Sequence, residues 1–363
     1  MTATATRTAT TMPNALTSGK MPKWSPLWLL GGSLAISIAI FAVLEAAGAT
    51  RVFNWAGTAF VAVVLYCVLI WTISRLVEGG RKAADRLVTA LVTTAFGIAL
   101  IPLISVTYTV IVRGIARFDV PFFTESMRNV VGAGGGALHA IVGTLLITGM
   151  ATIISVPIGL LTAIYLVEYG RGRLARGVTF FVDVMTGIPS IVAGLFAFAL
   201  FALLFDDPGI RFGFGGAVAL SVLMIPVVVR SSEEMLKLVP NELREASLAL
   251  GVPKYLTVLK VVLPTSIAGI ITGVMISIAR VIGETAPLLI IAGFTTSMNY
   301  NLFSERMMTL PVFVYNQYAS QGTDAQAYLD RAWTGALTLI LIVALLNIVA
   351  RLVAKFLAPK GAR

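Results

Sequence analysis

Long apolar segments alternate with short polar segments along most of this chain. A bilayer core about 30 Å thick requires roughly 20 apolar residues for one helical span. Windows of this kind lie at 27–44, 52–74, 87–112, 138–167, 178–205, 217–229, 267–291 and 333–353. The window at 217–229 is short, so we expect its span to begin near Phe212. Continuous apolar runs are typical of helices, whereas barrel strands alternate apolar and polar residues. The pattern predicts an all-α polytopic membrane protein with about eight transmembrane helices.

The composition and the charge distribution support this class. The 363 residues are 58% hydrophobic and only 12% charged, which exceeds what a soluble domain needs for its core. If the N-terminus is cytosolic, about 19 of the 27 lysines and arginines fall on the cytosolic side, as the positive-inside rule requires. Both termini are therefore expected in the cytosol. Topology explains the net charge of +10, and no basic polar domain suggests a nucleic-acid partner.

The polar segments predict the organisation of the chain. We expect a disordered cytosolic tail at 1–26, because this stretch is rich in Thr and Ala and contains Pro13 and Pro22. An accessory transmembrane hairpin at 27–78 is followed by a glycine-containing linker, and a six-span core covers 87–357. The last outer loop, 294–331, contains an apolar segment at 310–315 that is too short to span, so it lies at the interface or re-enters the bilayer.

Few residues offer chemistry of the kind an enzyme uses. Cys67 is the single cysteine, which excludes a disulfide framework and a cysteine-based metal site. His139 is the single histidine and has no metal-binding companion nearby in sequence, so we interpret it as an interfacial residue. No catalytic set can be assembled. The chain also lacks a G-x-x-x-x-G-K-[ST] phosphate-binding loop. We expect no catalytic residues, no metal and no cofactor on this chain.

A polar excursion at 231–264 interrupts the apolar pattern between two spans. A helix ending before Pro240 is expected first, followed by a short amphipathic helix at 241–250. Gly251 is placed where a residue with positive φ ends a helix and turns the chain. This geometry predicts a rigid knob on the cytosolic side, which by itself is also compatible with an ordinary helix hairpin.

The excursion resembles the EAA loop through which importer-type ABC permeases dock onto a cytosolic ATPase. The matching residues are Glu245, Ala246, Ser247, Gly251, Leu263 and Pro264, with Ser247 as the only soft substitution. The segments 187–196 (GIPSIVAGLF), 230–236 (RSSEEML) and 279–289 (ARVIGETAPLL), together with Arg331-Ala332-Trp333, look like the PstA permeases of bacterial phosphate importers. The resemblance covers roughly 87–355. The N-terminal hairpin departs from the six-span form of that family, and nothing in its sequence assigns it a function.

The resemblance implies a type I ABC importer permease core in the bacterial plasma membrane, forming the pathway with a second, PstC-type permease. Two copies of a cytosolic ATPase subunit would drive transport with ATP and Mg²⁺. An extracytoplasmic binding protein would deliver phosphate, and membrane lipid would surround the spans.

Arg280 is the first candidate for handling an anion. It lies roughly 24 Å along its span from Pro264, at a depth where an unpaired arginine is costly. Glu284 is four residues further, so we expect the two side chains to share one helix face and to pair. An arginine fork suits a tetrahedral oxyanion. A purely structural ion pair is the alternative. Gly283 and Pro287 permit a kink beside the two charges.

Arg230 and Glu233 form the second candidate, three residues apart at the cytosolic end of the fourth core span. In the PstA-type permeases the matching arginine and glutamate are implicated in phosphate passage. A positive-inside anchor with a helix-surface partner is the alternative. Asp183 is interpreted as a buried acid that counters Arg230 or Arg280 from a neighbouring helix. The segment 187–190 is expected to break its span within the membrane, mainly for packing.

Three other functions stay open at this level. The cargo of an ABC permease could be another oxyanion, such as sulfate or molybdate. A secondary transporter would need no ATPase and would run on an ion gradient. A scaffold or a membrane enzyme would lack both a transported solute and an ATPase partner.

Overall fold

The structure is a computed structural model that describes Gly19 and residues 21–48 and 52–357. Most of the predicted tail at 1–26 therefore lies outside the described residues. The regular elements of the described ranges are helices: α1 (Ser25–Ala46), α2 (Trp55–Val77), α3 (Gly80–Gly114), α4 (Val120–Thr124), α5 (Leu138–Ile164), α6 (Gly172–Thr186), α7 (Ser190–Phe205), α8 (Gly213–Lys237), α9 (Asn241–Ala249), α10 (Lys254–Thr257), α11 (Leu263–Val281), α12 (Ala286–Ile291), α13 (Leu310–Ala319) and α14 (Ala325–Leu357). A 3₁₀ turn follows α3 at Ile115–Arg117, and π-helical turns occupy Tyr165–Tyr169 and Val258–Val262.

Within the described residues, seven helical segments are long and apolar enough to cross a membrane. An eighth span is obtained if α6 and α7 are counted together, although they are bent by 108° at their junction. The all-α polytopic architecture predicted from hydropathy is thereby confirmed. The bend has a local cause: Pro189 has no amide hydrogen to donate and disfavours helical geometry at Ile188.

The first compact unit of the chain ends at Thr107 and contains α1, α2 and most of α3. In it, α1 and α2 pack along each other, and the Ser37 hydroxyl donates to the Thr58 carbonyl at 2.6 Å. The linker expected after Val77 is only a short turn, because α3 already begins at Gly80 and continues without a break to Gly114. The contact-defined division therefore falls inside α3, downstream of the predicted linker.

The second unit, Tyr108–Arg363, is centred on α5 and α8, which pack along most of their lengths. Ile147, Leu220, Met224 and Val228 are fully buried in its main apolar cluster. Gly159 makes this approach possible, because an added Cβ would lie 2.7 Å from a methyl carbon of Val228. Helix α11 packs on α8 and on α14.

The apolar segment at 310–315 is the start of α13, a ten-residue helix. Leu310, Val312 and Phe313 are fully buried. The Leu310 amide donates to the Thr144 hydroxyl of α5 at 2.7 Å, and α13 also packs on α14. His139, interpreted from the sequence as interfacial, is only 2% exposed and lies edge-on to the Phe313 ring. The His139 side chain is thus buried within the protein, because α13 covers the start of α5.

Two span boundaries differ from those read from hydropathy. Helix α8 begins at Gly213, close to the expected start at Phe212, but continues through the polar residues to Lys237. The predicted span 267–291 is two helices, because α11 ends at Val281 and α12 begins at Ala286 with Pro287 in its first turn. Hydropathy predicts that a segment crosses the membrane, but it does not predict the residue at which the backbone hydrogen bonding of the helix ends.

Candidate functional site

A cluster of four charges joins α6 and α8 near the end of α8 predicted to face the cytosol. Arg230 donates to Glu233 at 2.9 Å and also forms an ion pair with Asp183 of α6. Lys237, one turn further, donates to the other oxygen of Glu233 at 2.7 Å. The spacings i, i+3 and i, i+4 place Arg230, Glu233 and Lys237 on one face of α8, as expected for a helix. The pairing of Asp183 with Arg230 confirms one of the two partners considered from the sequence.

The burial of the cluster is uneven. The Glu233 side chain is 9% exposed, whereas those of Arg230 and Asp183 are 35% and 57% exposed. The interpretation of Asp183 as a buried acid is therefore wrong, because Asp183 lies on a side of α6 that the described residues leave largely uncovered, whereas the neighbouring Val182 is buried. Two positive and two negative side chains cancel one another. The two carboxylates compete with an anion for the N–H groups of Arg230.

Arg280 presents the opposite case. It occupies the last turn of α11, is exposed, and makes no hydrogen bond or ion pair with the described residues. The partial negative charge of the helix C-terminus favours a cation at this position. The arginine fork is therefore free to receive an oxyanion.

The expected pairing of Arg280 with Glu284 is absent from the ion pairs of the described chain. The reason is that α11 ends at Val281, so Glu284 lies in the turn before α12 and the i, i+4 relation of a continuous helix does not apply. The predicted break at Gly283 and Pro287 is present. The break therefore places Glu284 outside the helix that carries Arg280.

The close approach of α8 and α11 shows how far apart Arg230 and Arg280 lie along the helix axis. An added Cβ at Gly273 of α11 would lie 2.5 Å from the Ser231 hydroxyl oxygen, so Gly273 marks the level of Arg230. Arg280 lies seven residues further along α11, about 10 Å away along the helix axis.

The knob predicted at the EAA-like segment is confirmed as a local structure. Helix α9 ends at Ala249, and Gly251 follows with φ of 78°. The Gly251 amide donates to the Leu248 carbonyl, and the Val252 amide donates to the Ser247 carbonyl, a pattern that closes a helix with glycine in the left-handed region. Glu245 and Ala246 are exposed on the surface of the knob, together with Leu248.

Ser247, Leu263 and Pro264 have different environments. Ser247 faces inward, and its hydroxyl lies 2.9 Å from that of Thr257 in α10, so it braces the turn. Leu263 packs against an inner apolar cluster around Val262 and Ile270. Pro264 lies in the first turn of α11, and a π-helical turn at Val258–Val262 leads directly into this helix.

Arg244 anchors the knob to the transmembrane helices, a role that the motif does not reveal. Its Nε donates to a carboxylate oxygen of Glu168 at 2.9 Å, and one terminal nitrogen donates to the Leu236 carbonyl at 2.8 Å. The same guanidinium donates to the Val239 carbonyl at 2.5 Å. Glu168, in the π-helical turn after α5, is 7% exposed. A single side chain thus joins α9 to the end of α5 and the end of α8.

A second arginine is buried at the other end of the core. Arg331 of α14 has no exposed surface. Its Nε donates to Gln317 of α13 at 2.8 Å, and a terminal nitrogen donates to the carbonyls of Gly132 and Gly134 at 2.7 and 3.0 Å. The sequence indicates flexibility for this glycine-rich segment, but the structure shows a loop wrapped around a buried cation. Its carbonyls take the place of a carboxylate.

The comparisons with known proteins agree with this architecture. The family described as "Binding-protein-dependent transport system inner membrane component" matches residues 155–362. Phosphate transport system permease protein PstA 1 of Mycobacterium tuberculosis is 44% identical, covering 78% of this chain and 91% of the relative. Phosphate transport system permease protein PstA of Haemophilus influenzae is 38% identical, covering 75% and 94% respectively.

A solved structure of the MetNI methionine ABC transporter, in an inward-facing conformation, is 21% identical to this chain with a TM-score of 0.48, covering 62% of this chain and 95% of that chain. The identities to the two permeases extend over nearly their whole lengths. The chain therefore belongs to the family of binding-protein-dependent transport system inner membrane components, among the PstA permeases.

Proposed function

We propose that this chain is one of two permease halves of an ATP-driven importer of inorganic phosphate. The names of its relatives support phosphate as the cargo. An open arginine fork in the last turn of a spanning helix supports an oxyanion in general. The second half of the pathway is a PstC-type permease, and an extracytoplasmic binding protein delivers the anion. The chain lies in the bacterial plasma membrane with both termini in the cytosol.

ATP hydrolysis belongs to two separate cytosolic subunits that use Mg²⁺. The observation that carries this part of the proposal is the anchoring of the knob by Arg244. Because Arg244 contacts Glu168 and the Leu236 carbonyl, a displacement of α9 moves the ends of α5 and α8 with it. Helix α8 also carries Arg230 and Glu233. Movement of a docked ATPase is thereby transmitted to the ion pairs of Arg230.

The cargo is tested by reconstituting the chain with its partner subunits in proteoliposomes that contain ATP. We expect uptake of radioactive phosphate that requires both ATP and the binding protein, and no comparable uptake of sulfate or molybdate. Preferential sulfate or molybdate uptake would identify another oxyanion importer. Uptake by the chain alone on an ion gradient would identify a secondary transporter.

The coupling is tested with Glu168→Gln, Arg244→Gln and the double variant. Both single changes remove the ion pair, and Arg244→Gln also removes the hydrogen bonds to the Leu236 and Val239 carbonyls. We expect Glu168→Gln to lower ATP-driven uptake about tenfold, Arg244→Gln to lower it at least as much, and the double variant to be no worse than Arg244→Gln. ATP hydrolysis should continue without matching uptake. Lys260→Gln, an exposed cation near the same surface, serves as the control. If the two single effects add fully in the double variant, Arg244 and Glu168 do not act as one connection.

A further inference from the structure

The N-terminal unit contains an open groove between α1, α2 and the first half of α3. Its volume is about 890 Å³. Charged side chains line one end, and apolar or small residues line the remainder. The lining includes Glu78, Lys82, Asp85 and Arg86 at the charged end and Leu30 and Gly97 in the apolar remainder. All of them belong to the unit that ends at Thr107.

The length of the groove matches one leaflet of a bilayer. The apolar part of α3 begins at Leu87, and Gly97 is the deepest lining residue on this helix. Ten residues of helix rise about 15 Å, which is half of a hydrocarbon core of about 30 Å. Lys82, Asp85 and Arg86 precede the apolar part and so lie at the level of the lipid headgroups.

One ion pair at the charged end is already complete. Arg86 donates to both carboxylate oxygens of Glu78, at 2.5 and 2.9 Å. Glu78 also accepts from the Met21 amide at 2.9 Å and from the Ser74 hydroxyl at 3.1 Å. The hydrogen bond from Arg86 is the main cause that lowers the pKa of Glu78 to about 2. This pair fixes the mouth of the groove and leaves no net charge for a ligand.

Other polar groups along the groove are free. Within the described ranges, Lys82 and Asp85 have no ion-pair or hydrogen-bond partner for their side chains, although they are three residues apart on α3. The side chains of Tyr66, Thr93 and Thr94 also lack a partner among these residues. By contrast, the Thr89 hydroxyl donates to the carbonyl of Asp85 in its own helix. A free cation and a free anion thus stand side by side above free hydroxyl groups in an apolar groove.

We propose that this groove binds one zwitterionic aminophospholipid, a lipid whose headgroup carries a phosphate and a primary ammonium. Lys82 contacts the phosphate, Asp85 contacts the ammonium, and an acyl chain fills the groove toward Gly97. The inference does not depend on the cargo of the permease.

Charge and polarity favour this occupant. A lipid with an anionic headgroup and no ammonium would satisfy Lys82 but would place its charge beside Asp85, which repels it. Free inorganic phosphate would leave the apolar depth between Leu30 and Gly97 unfilled. A phospholipid with an ammonium group matches both ends of the groove.

The test uses the full-length chain in nanodiscs that contain phosphatidylethanolamine and phosphatidylglycerol in equal amounts. After mild detergent extraction, native mass spectrometry counts the lipids retained on each copy. We expect one tightly held phosphatidylethanolamine, preferred about tenfold over phosphatidylglycerol, and not displaced by millimolar inorganic phosphate. Equal retention of both lipids, no retained lipid, or displacement by phosphate would overturn the proposal.

Gly97→Leu blocks the groove without disturbing its walls, because an added Cβ at Gly97 meets nothing within 4 Å. We expect it to lower lipid retention about tenfold. Ala95→Leu, on the same helix but outside the groove, should retain the lipid. If Gly97→Leu retains as much lipid as Ala95→Leu, the lipid lies elsewhere on the protein.

The headgroup contacts are tested separately. Asp85→Asn should abolish the preference for phosphatidylethanolamine while some lipid is still retained, because only the ammonium loses its partner. Lys82→Gln should weaken retention of both lipids, and the neighbouring Arg81→Gln, which does not line the groove, should do neither. If Asp85→Asn keeps the preference, or Lys82→Gln keeps full retention, the headgroup assignment is wrong. Tryptophan fluorescence checks that each variant is folded.

Discussion

Arg230 and Arg280 lie on two helices that pack against each other, α8 and α11, yet their surroundings differ. Arg230 is paired with Asp183 and Glu233, and the local charge is cancelled. Arg280 has no partner among the described residues. An arginine paired with carboxylates stabilises the contact between helices. An unpaired arginine within the membrane is energetically costly unless another group binds it. Under the proposed function, we expect Arg280 to be available to the anion first and Arg230 to become available only after a rearrangement.

The largest effect is expected from Arg280→Ala. Loss of the open fork should abolish phosphate uptake in reconstituted vesicles, while the complex assembles and its melting temperature stays close to that of the wild type. Arg280→Lys keeps the charge but loses the two-pronged geometry, so it should recover only part of the rate. Normal uptake by Arg280→Ala would contradict the assignment of the anion site.

Arg331→Leu should lower the stability of the protein and leave its transport activity nearly unchanged. It removes a buried donor and leaves the Gly132 and Gly134 carbonyls and Gln317 without their partner. We expect a loss of about 3 kcal/mol or more in stability, seen as a lower melting temperature in detergent. Transport by the fraction that stays folded should be nearly normal. A stable variant that does not transport would show that Arg331 acts on the anion and not on the fold.

Glu233→Gln tests the role of the ion pairs around Arg230. It removes one of the two carboxylates that hold Arg230, together with the partner of Lys237. The cluster gains a net positive charge, so an arriving anion is held longer, and the maximal rate of uptake should fall about tenfold. Glu234→Gln, an exposed neighbour without an ion-pair partner in the described chain, is the matched control. Equal rates for the two variants would show that the closed cluster does not control passage.

The smallest effect concerns the ion pair between Arg86 and Glu78 in the N-terminal unit. Because the pKa of Glu78 is lowered to about 2 from an ordinary value of 4.5, its contribution to stability is fully present above pH 4.5 and is lost as the pH falls toward 2. All tryptophans except Trp333 lie in this unit, so their fluorescence reports its unfolding. Glu78→Gln should weaken this acid dependence, and an unchanged acid transition would contradict the assignment.

The sequence alone determined several features of the protein. Apolar runs of sufficient length determined the helical membrane class, since each span must satisfy its backbone hydrogen bonds internally. The local pattern around Gly251 determined the knob, because positive φ and the end of a helix are decided by neighbours in sequence. The i, i+3 relation between Arg230 and Glu233 was also local and could be predicted.

Only the tertiary structure decided which charged side chains are paired and which are unpaired. The partners of Arg244 and Arg331 lie on other helices or loops, and the sequence pattern has no information about contacts between residues far apart in the chain. The pairing expected between Arg280 and Glu284 failed for a related reason: hydropathy continues through residues 282–285, while the helix stops at Val281. Charge type is written in the sequence, but its compensation depends on which backbone and side-chain groups the packed helices bring within hydrogen-bonding distance.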